Sequence, residues 1–444
     1  MKVIFVDRDE TVRARFHPLT FSRPIWELRC GFSSLRDKLL AGLGVSQAAY
    51  FVPDYMAQAY QEALDSPRGY PVHGMHGQDA RATSVNDMAV LKDDDLLVLD
   101  GRLKADALDV PRKGSSVVGT DENGAVLYAR ITAADAARLD AADIDAFIAS
   151  AVHLLPNVPA KQPRWNYTWD LILANPQVLA ADFAAAGRDG IEGAVEQPTA
   201  IRGGKKDVYV APGALVHPMV VIDAEHGPVY IDADAEIHPF TRVEGPSYIG
   251  PKSILLGAKC REGNSIGPMC RVGGEVEESI IHGYSNKYHD GFLGHAYVGQ
   301  WVNLGALTTN SDLKNDYSSV SVMLDDKAGT DTGSPKVGAL IGDHSKTSIG
   351  TLLNTGAYVG AMAIIMATGK PLPKHIPSFS WLIEGIITKG FGKRALYETA
   401  AVAMSRRKQQ WTDAQRALWD AVFEITAPAR LRAVKKGRKE LLNR

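Results

Sequence analysis

Two stretches of this 444-residue sequence carry cationic or imidazole side chains of types that could do chemistry. After a first apolar run, Val3 to Val6, come Arg13, Arg15, Arg23, Arg29, Arg36 and Lys38. Guanidinium and ammonium groups at that density can neutralise phosphate oxygens, and open α/β sheets bind ligands beyond the carboxyl ends of their strands, where this cluster begins. Much further along lie His282, His289, His295 and His344. An imidazole titrates near neutrality, so a histidine suits a general base that takes the proton of an attacking amine or hydroxyl. Either chemistry needs elements that hold these groups in place.

The elements around the histidines carry a period of six. Aliphatic residues recur as Val210, Val216, Ile222, then Ile231, Ile237, Val243, Ile249, Leu255, and after an irregular middle as Ile341, Thr347, Leu353, Val359, Ile365. In the last run the fifth residue of each hexad is small: Ser345, Thr351, Ala357, Ala363. Neither a helix nor an alternating strand generates a strict period of six. Hexads are the signature of a parallel β-helix, each forming one flat face with its aliphatic residue pointing to the axis. Three faces converge on a narrow prism, so the second inward residue must be small.

Three segments follow. Residues 1–185 alternate strand-like and helical runs, as an α/β domain does. Residues 186–370 are the hexad coil, with one long interruption from Asn310 to Lys336, and such excursions on rigid scaffolds carry binding groups. Residues 371–444 are helical, with a capping box at Thr412 to Gln415 ahead of the amphipathic stretch Ala417 to Ile425. A final run bears Arg430, Arg432, Lys435, Lys436, Arg438 and Lys439, which reads as a solvated helix face or as a contact to a phosphate or a neighbouring subunit. A formal net charge of -2 gives no reason to expect a nucleic-acid or membrane partner. Cys30, Cys260 and Cys270 lack disulfide or metal-ligand spacing. With no apolar stretch long enough to span a membrane and no leader, the expected location is the cytoplasm.

Two stretches resemble a known family. Arg15 to Gly31, RFHPLTFSRPIWELRCG, looks like the segment at the front of sugar nucleotidyltransferases. His289 to Tyr317, HDGFLGHAYVGQWVNLGALTTNSDLKNDY, is similar to the acetyltransferase stretch of the bacterial enzymes that join an N-acetylglucosamine-1-phosphate uridylyltransferase to a glucosamine-1-phosphate acetyltransferase. The resemblance implies a Rossmann-like nucleotidyltransferase domain, a left-handed parallel β-helix and a helical tail. It implies a nucleoside triphosphate and a sugar 1-phosphate as substrates, Mg2+ and acetyl-CoA as cofactors, and a homotrimer with sites between coils. By position in the motifs, Arg15 is a catalytic cation and Arg23, Arg29 and Lys38 bind phosphate. Asp100, which ends the run Leu96 to Leu99, and Asp170 are the candidate metal ligands. His289 matches the catalytic histidine, Asn310 is a candidate at the acceptor, and Asn303, Lys287, Lys314 and Tyr317 complete the binding set.

The sequence also departs from the family. No glycine occurs in the loop Asp7 to Val12, Ile25 stands at a lysine position, and Arg102 stands at the position of a metal-binding aspartate. Glu277 and Glu278 replace a lysine pair, so either the acceptor differs or Lys287 takes the phosphate. Three readings therefore stay open: a sugar-phosphate enzyme with both activities, an acyltransferase whose N-terminal domain only binds a sugar nucleotide, and a non-enzymatic trimeric scaffold.

Overall fold

The computed structural model describes residues 1–66, 84–366 and 369–442. The chain divides into two compact units: Met1–Arg13, Arg23–Leu28 and Ser33–Asn166 form one, and Ala14–Ser22, Arg29–Phe32 and Tyr167–Arg444 the other. The division cuts through the motif Arg15 to Gly31. Arg15 and Arg29 thus belong with the coil, and Arg23 belongs with the sheet. The second unit begins at Tyr167, before the expected boundary at 185, because the helix Thr168–Ala186 packs on the coil. Its Leu179 joins Phe32, Tyr209, Tyr230 and Tyr248 in one apolar cluster, and Asn175 Nδ2 donates to the Gly263 carbonyl at 2.8 Å.

In the first unit the strand Lys2–Val6 lies between Ala49–Phe51 and Leu96–Asp100, parallel to both. The sheet continues with Val126–Ile131, antiparallel to Leu96–Asp100, and then Val117–Thr120 and Asn157–Pro159. The near-continuous apolar runs of the central strands suit burial on both faces. On one face Ile144, Phe147 and Ala151 of the helix Ile144–Leu154 pack against Ile4, Val98 and Ala129. The helix Leu35–Leu43 starts at a capping box of Ser34 and Asp37 and stops at Gly44, whose φ of 65° is left-handed.

The hexads build a parallel β-solenoid of about 11 turns between residues 190 and 382. Each turn takes three hexads, so every third aliphatic residue stacks directly on the turn below. Val210, Ile231, Ile249, Ile266, Ile281, Val298, Ile341, Val359 and Ile376 form one such inward column, paired rung by rung. A second column runs Val216, Ile237, Leu255, Val272 and then Lys287. The third runs Ile222, Val243, Cys260, Val276, Leu293, and beyond it Asn310 pairs with Leu353. Polar residues therefore break two apolar columns in one part of the coil.

The interruption folds back on its own coil. Leu313 bridges Lys336 at its base, Ser321–Val322 pairs with Thr330–Asp331, and Val320 and Val322 are fully buried. The C-terminal helices are Lys393–Ser405, Asp413–Ile425 with the expected Thr412 capping box, and Ala427–Leu442. Two cations of the basic run pack within this unit: Arg430 lies 3.8 Å from the Phe423 ring centroid, and Arg432 forks the carboxylate of Asp326 at 2.6 and 2.7 Å. No helix among the described residues is long and apolar enough to cross a membrane.

Candidate functional site

In the first unit the carboxyl ends of the adjacent parallel strands Lys2–Val6 and Leu96–Asp100 open into a cleft of about 270 Å³ lined by Asp7, Arg8, Asp9, Ile25, Asp100 and Arg102. The end of neighbouring parallel strands is where sheets of this kind bind ligands. Gly101 is required by close packing, since a Cβ there would sit 2.3 Å from the Trp26 ring. Arg102 donates from Nε to both oxygens of Asp100, at 3.0 and 3.1 Å, and Asp7 and Asp9 also support its charge. Burial raises the pKa of Asp7 even though Arg13 and the Ile25 amide bind it. Arg8, with a side chain 21% exposed, is the more accessible cation and is held by Asp54 and Asp145.

This donor set does not fit Mg2+. The cation among Asp7, Asp9 and Asp100 is a guanidinium, and a metal bound to Asp100 would have to displace Arg102 from both carboxylate oxygens. The other expected metal ligand, Asp170, accepts from the Tyr167 amide at 3.1 Å and closes the start of the helix Thr168–Ala186. Its place is the second unit, so it shares no compact unit with Asp100.

The expected phosphate-binding cations are also dispersed. Arg15 is half-buried with its guanidinium 5.9 Å from the Tyr167 ring. Arg23 is 2% exposed and lies near Glu27. Arg29 turns inward, donating to the Phe32 carbonyl and lying over Tyr248. Lys38 is half-buried on the helix Leu35–Leu43.

On the coil, His289 stands exposed at a corner, edge-on to Tyr288. Lys287 does not reach a phosphate, because it fills an inward column position, 2% exposed. Its Nζ donates to the carbonyls of Gly273 at 3.1 Å and His289 at 2.6 Å, so it fixes the corner that presents the histidine. Burial lowers its pKa to about 8. Asn310 likewise faces the interior: its side chain accepts from the Gly294 amide and donates to the Gly294 carbonyl, both at 2.9 Å, and holds the next turn in place of contacting an acceptor.

Beside them lies a buried charge network. His295 Nδ1 is 2.8 Å from Asp312 and its Nε2 3.3 Å from Glu278. Burial opposes the charge on His295, but the bonds to Asp312 and Glu278 outweigh it and raise the pKa to about 9. Glu277 is paired with Arg261 at 2.6 Å and with Lys336, from the excursion, at 3.4 Å. The two glutamates that replace a lysine pair are thus already neutralised within the coil.

One outer face of the coil presents Arg271, Asn286, Asn303 and Lys346 on successive rungs. With Tyr284, Trp301, Arg406 and Arg407 the last three line a groove of about 270 Å³ against the helix Lys393–Ser405. None of its described lining residues is a carboxylate, and burial lowers Lys346 to about 8. Asn303 Oδ1 accepts from Asn286 Nδ2 at 3.1 Å, and Asn286 is three residues from His289. Of the other expected groups, Lys314 donates to Ser318 at 3.2 Å and to the Ser319 carbonyl within the excursion, and Tyr317 is 73% exposed.

Residues 3–189 match the model of the family described as sugar nucleotidyl transferase. The N-terminal region is thus similar to sugar nucleotidyl transferases. A bifunctional sugar-1-phosphate nucleotidylyltransferase/acetyltransferase of Sulfurisphaera tokodaii is 35% identical over 151 residues, 31% of this chain and 35% of that protein. The bifunctional protein GlmU of Synechococcus elongatus is 28% identical over 224 residues, 49% of this chain and 42% of that protein. The chain thus spans well under half the length of these curated relatives. A solved Arabidopsis UDP-N-acetylglucosamine acyltransferase aligns over 55% of this chain with 11% identity and a TM-score of 0.26, too low a likeness to bear on function.

Sequence reasoning missed much of the wall of the N-terminal cleft. Asp7, Arg8 and Asp9 stood out only as a loop without glycine, although three ionisable residues directly beyond a buried strand are themselves a signal. The partners of His295 carried no local signal, because Glu278 and Asp312 lie one turn away on either side.

Proposed function

We propose that this chain is a sugar-phosphate transferase, with nucleotidyl transfer to a sugar 1-phosphate in the N-terminal domain and acyl transfer from acetyl-CoA to an amino sugar on the coil. The observation that carries the reading is the arginine-bearing cleft at the ends of two adjacent parallel strands, inside the segment that matches sugar nucleotidyl transferases. In nucleotidyl transfer a sugar phosphate oxygen attacks the α-phosphorus and pyrophosphate leaves, so the protein must place two anions and offset the charge that builds on the oxygens. Arg8 and Arg102 are the cleft cations for that task. On the coil the amine attacks the thioester carbonyl, His289 accepts the amine proton, and the thiol departs. The carboxylate-free groove of Asn303, Lys346, Arg406 and Arg407 suits the phosphates of the thioester cofactor.

A second reading is favoured by the Arg102 pairing: acyl transfer alone, with the N-terminal domain binding a sugar nucleotide. The two separate in one assay. Purified protein is incubated with a panel of nucleoside triphosphates and hexosamine 1-phosphates, with and without Mg2+, following pyrophosphate, and in parallel with acetyl-CoA, following free thiol. Thiol release without pyrophosphate under any condition selects the second reading; neither product from any pairing rejects both. For the cleft, Arg8→Ala should weaken nucleotide binding by roughly 1.5–3 kcal/mol, the range for hydrogen bonds to charged groups.

A further inference from the structure

Three successive turns near the start of the coil place Glu196, His217 and His238 in one outward column, since each directly follows the paired inward residues Val195, Val216 and Ile237. The rings of His217 and His238 are 4.9 Å apart, the rung spacing of parallel strands. Glu236, two residues before His238, projects on the same outer face. His217 Nε2 lies 3.0 Å and His238 Nε2 3.3 Å from one oxygen, Oε1, of Glu236. The donor atoms of these three residues all fall within 4.8 Å of one another.

The two histidine–Glu236 separations are close to those within a coordination shell. Ligands about 2.0–2.2 Å from a tetrahedral zinc ion are roughly 3.3 Å apart. The other ring nitrogen of His217, Nδ1, lies 3.2 Å from Glu196 Oε2, the carboxylate contact that orients a metal-bound imidazole and leaves its far nitrogen facing the ion. The charge is also open to a divalent cation: among the described residues no lysine or arginine pairs with Glu196 or Glu236. The carboxylates of the other acidic cluster are engaged, Glu262 and Glu277 by Arg261 and Glu278 by His295. The histidine side chains are 24% and 29% exposed, so solvent reaches the site and can fill the remaining positions.

We propose that His217, His238 and Glu236 bind a divalent transition cation of the zinc type, with Glu196 as the positioning residue for His217. Imidazole donors select such ions over Mg2+ or Ca2+. The site stands apart from the transferase reading and depends on none of its residues.

The test uses the full chain without an affinity tag, stripped with chelator and titrated with Co2+. A single equivalent should develop visible d–d bands of low-coordinate cobalt, Zn2+ should abolish them, and Mg2+ should not. Binding should release protons and weaken as the pH falls, because an imidazole coordinates only in its neutral form. His217→Asn and His238→Asn should each remove the bands, while Glu196→Gln should weaken binding about 10- to 100-fold, the usual cost of losing such an orienting contact. The circular dichroism of each variant checks that the coil is intact, and His238→Asn, at the more exposed ring, serves if His217→Asn fails to fold. The proposal is overturned by folded wild-type protein that gives no bands, or by bands that persist unchanged in folded His238→Asn protein.

Discussion

At the scale of single residues, two histidines six positions apart have opposite surroundings. His289 is exposed at a corner, whereas His295 is buried between two carboxylates with its pKa raised to about 9. A histidine already protonated at neutral pH is a poor proton acceptor, so the base assignment rests on His289. His289→Ala should cut acyl transfer about 10²- to 10⁴-fold with little change in thioester affinity; equal turnover with and without the ring would remove the assignment. His295→Gln should act on stability. Because the folded pKa lies above the ordinary 6.5, the stabilisation is complete below pH 6.5 and is lost as pH rises through about 9. Denaturant unfolding should show a deficit of about 3 kcal/mol at pH 6 that shrinks by pH 10, from 1.36 kcal/mol per pKa unit. A deficit independent of pH would mean that His295 contributes packing alone.

At the scale of elements, the period of six made the coil legible because each rung repeats one requirement, an aliphatic residue at the axis. The aliphatic residues of separate runs proved to be neighbours in space, as Val210, Ile231 and Ile249 show. The two polar interruptions, Lys287 and Asn310, were legible as candidates but not in role, because a resemblance fixes position along the chain and says nothing of which way a side chain turns. The N-terminal cluster misled for a related reason: Arg15, Arg23 and Arg29 are close in sequence yet divided between two compact units. Lys287 carries a prediction of its own. Its folded pKa of about 8 lies below the ordinary 10.5, so between these values the unfolded chain holds more protons and stability rises with pH. Lys287→Met should flatten that rise, measured as the difference between the two proteins' unfolding free energies at pH 7.5 and pH 10. An identical slope in both would place the lysine in solvent contact. The same variant should lower acyl transfer, because the His289 carbonyl loses its donor.

At the scale of the whole molecule, one edge of the coil is apolar without being buried. Met219 and Phe240 occupy corresponding corners of adjacent turns, with the Phe240 amide donating to the Met219 carbonyl, and are 54% and 76% exposed. Leu307 occupies an equivalent corner further on, and Ile349 directly precedes the next, Gly350; they are 60% and 72% exposed. The His289 corner belongs to this series, for the Leu307 amide donates to the carbonyl of Asp290 at 2.8 Å. Large apolar side chains at corners of a rigid ridge make a surface suited to burial by another protein surface, and cyclic closure through copies of this ridge would give the symmetric trimer that the family resemblance leads us to expect. His289 would then lie where two coils meet. Light scattering should return about three times the chain mass of 48.0 kDa. Leu307→Glu combined with Ile349→Glu should shift the mass toward the monomer and depress acyl transfer together, since both follow from the same ridge. Nucleotide binding in the N-terminal domain, and the cobalt spectrum of the His217 site, should be unaffected. A wild-type monomer at micromolar concentration, or a charged ridge that leaves a fully active trimer, would place the subunit contact and the acyl site elsewhere.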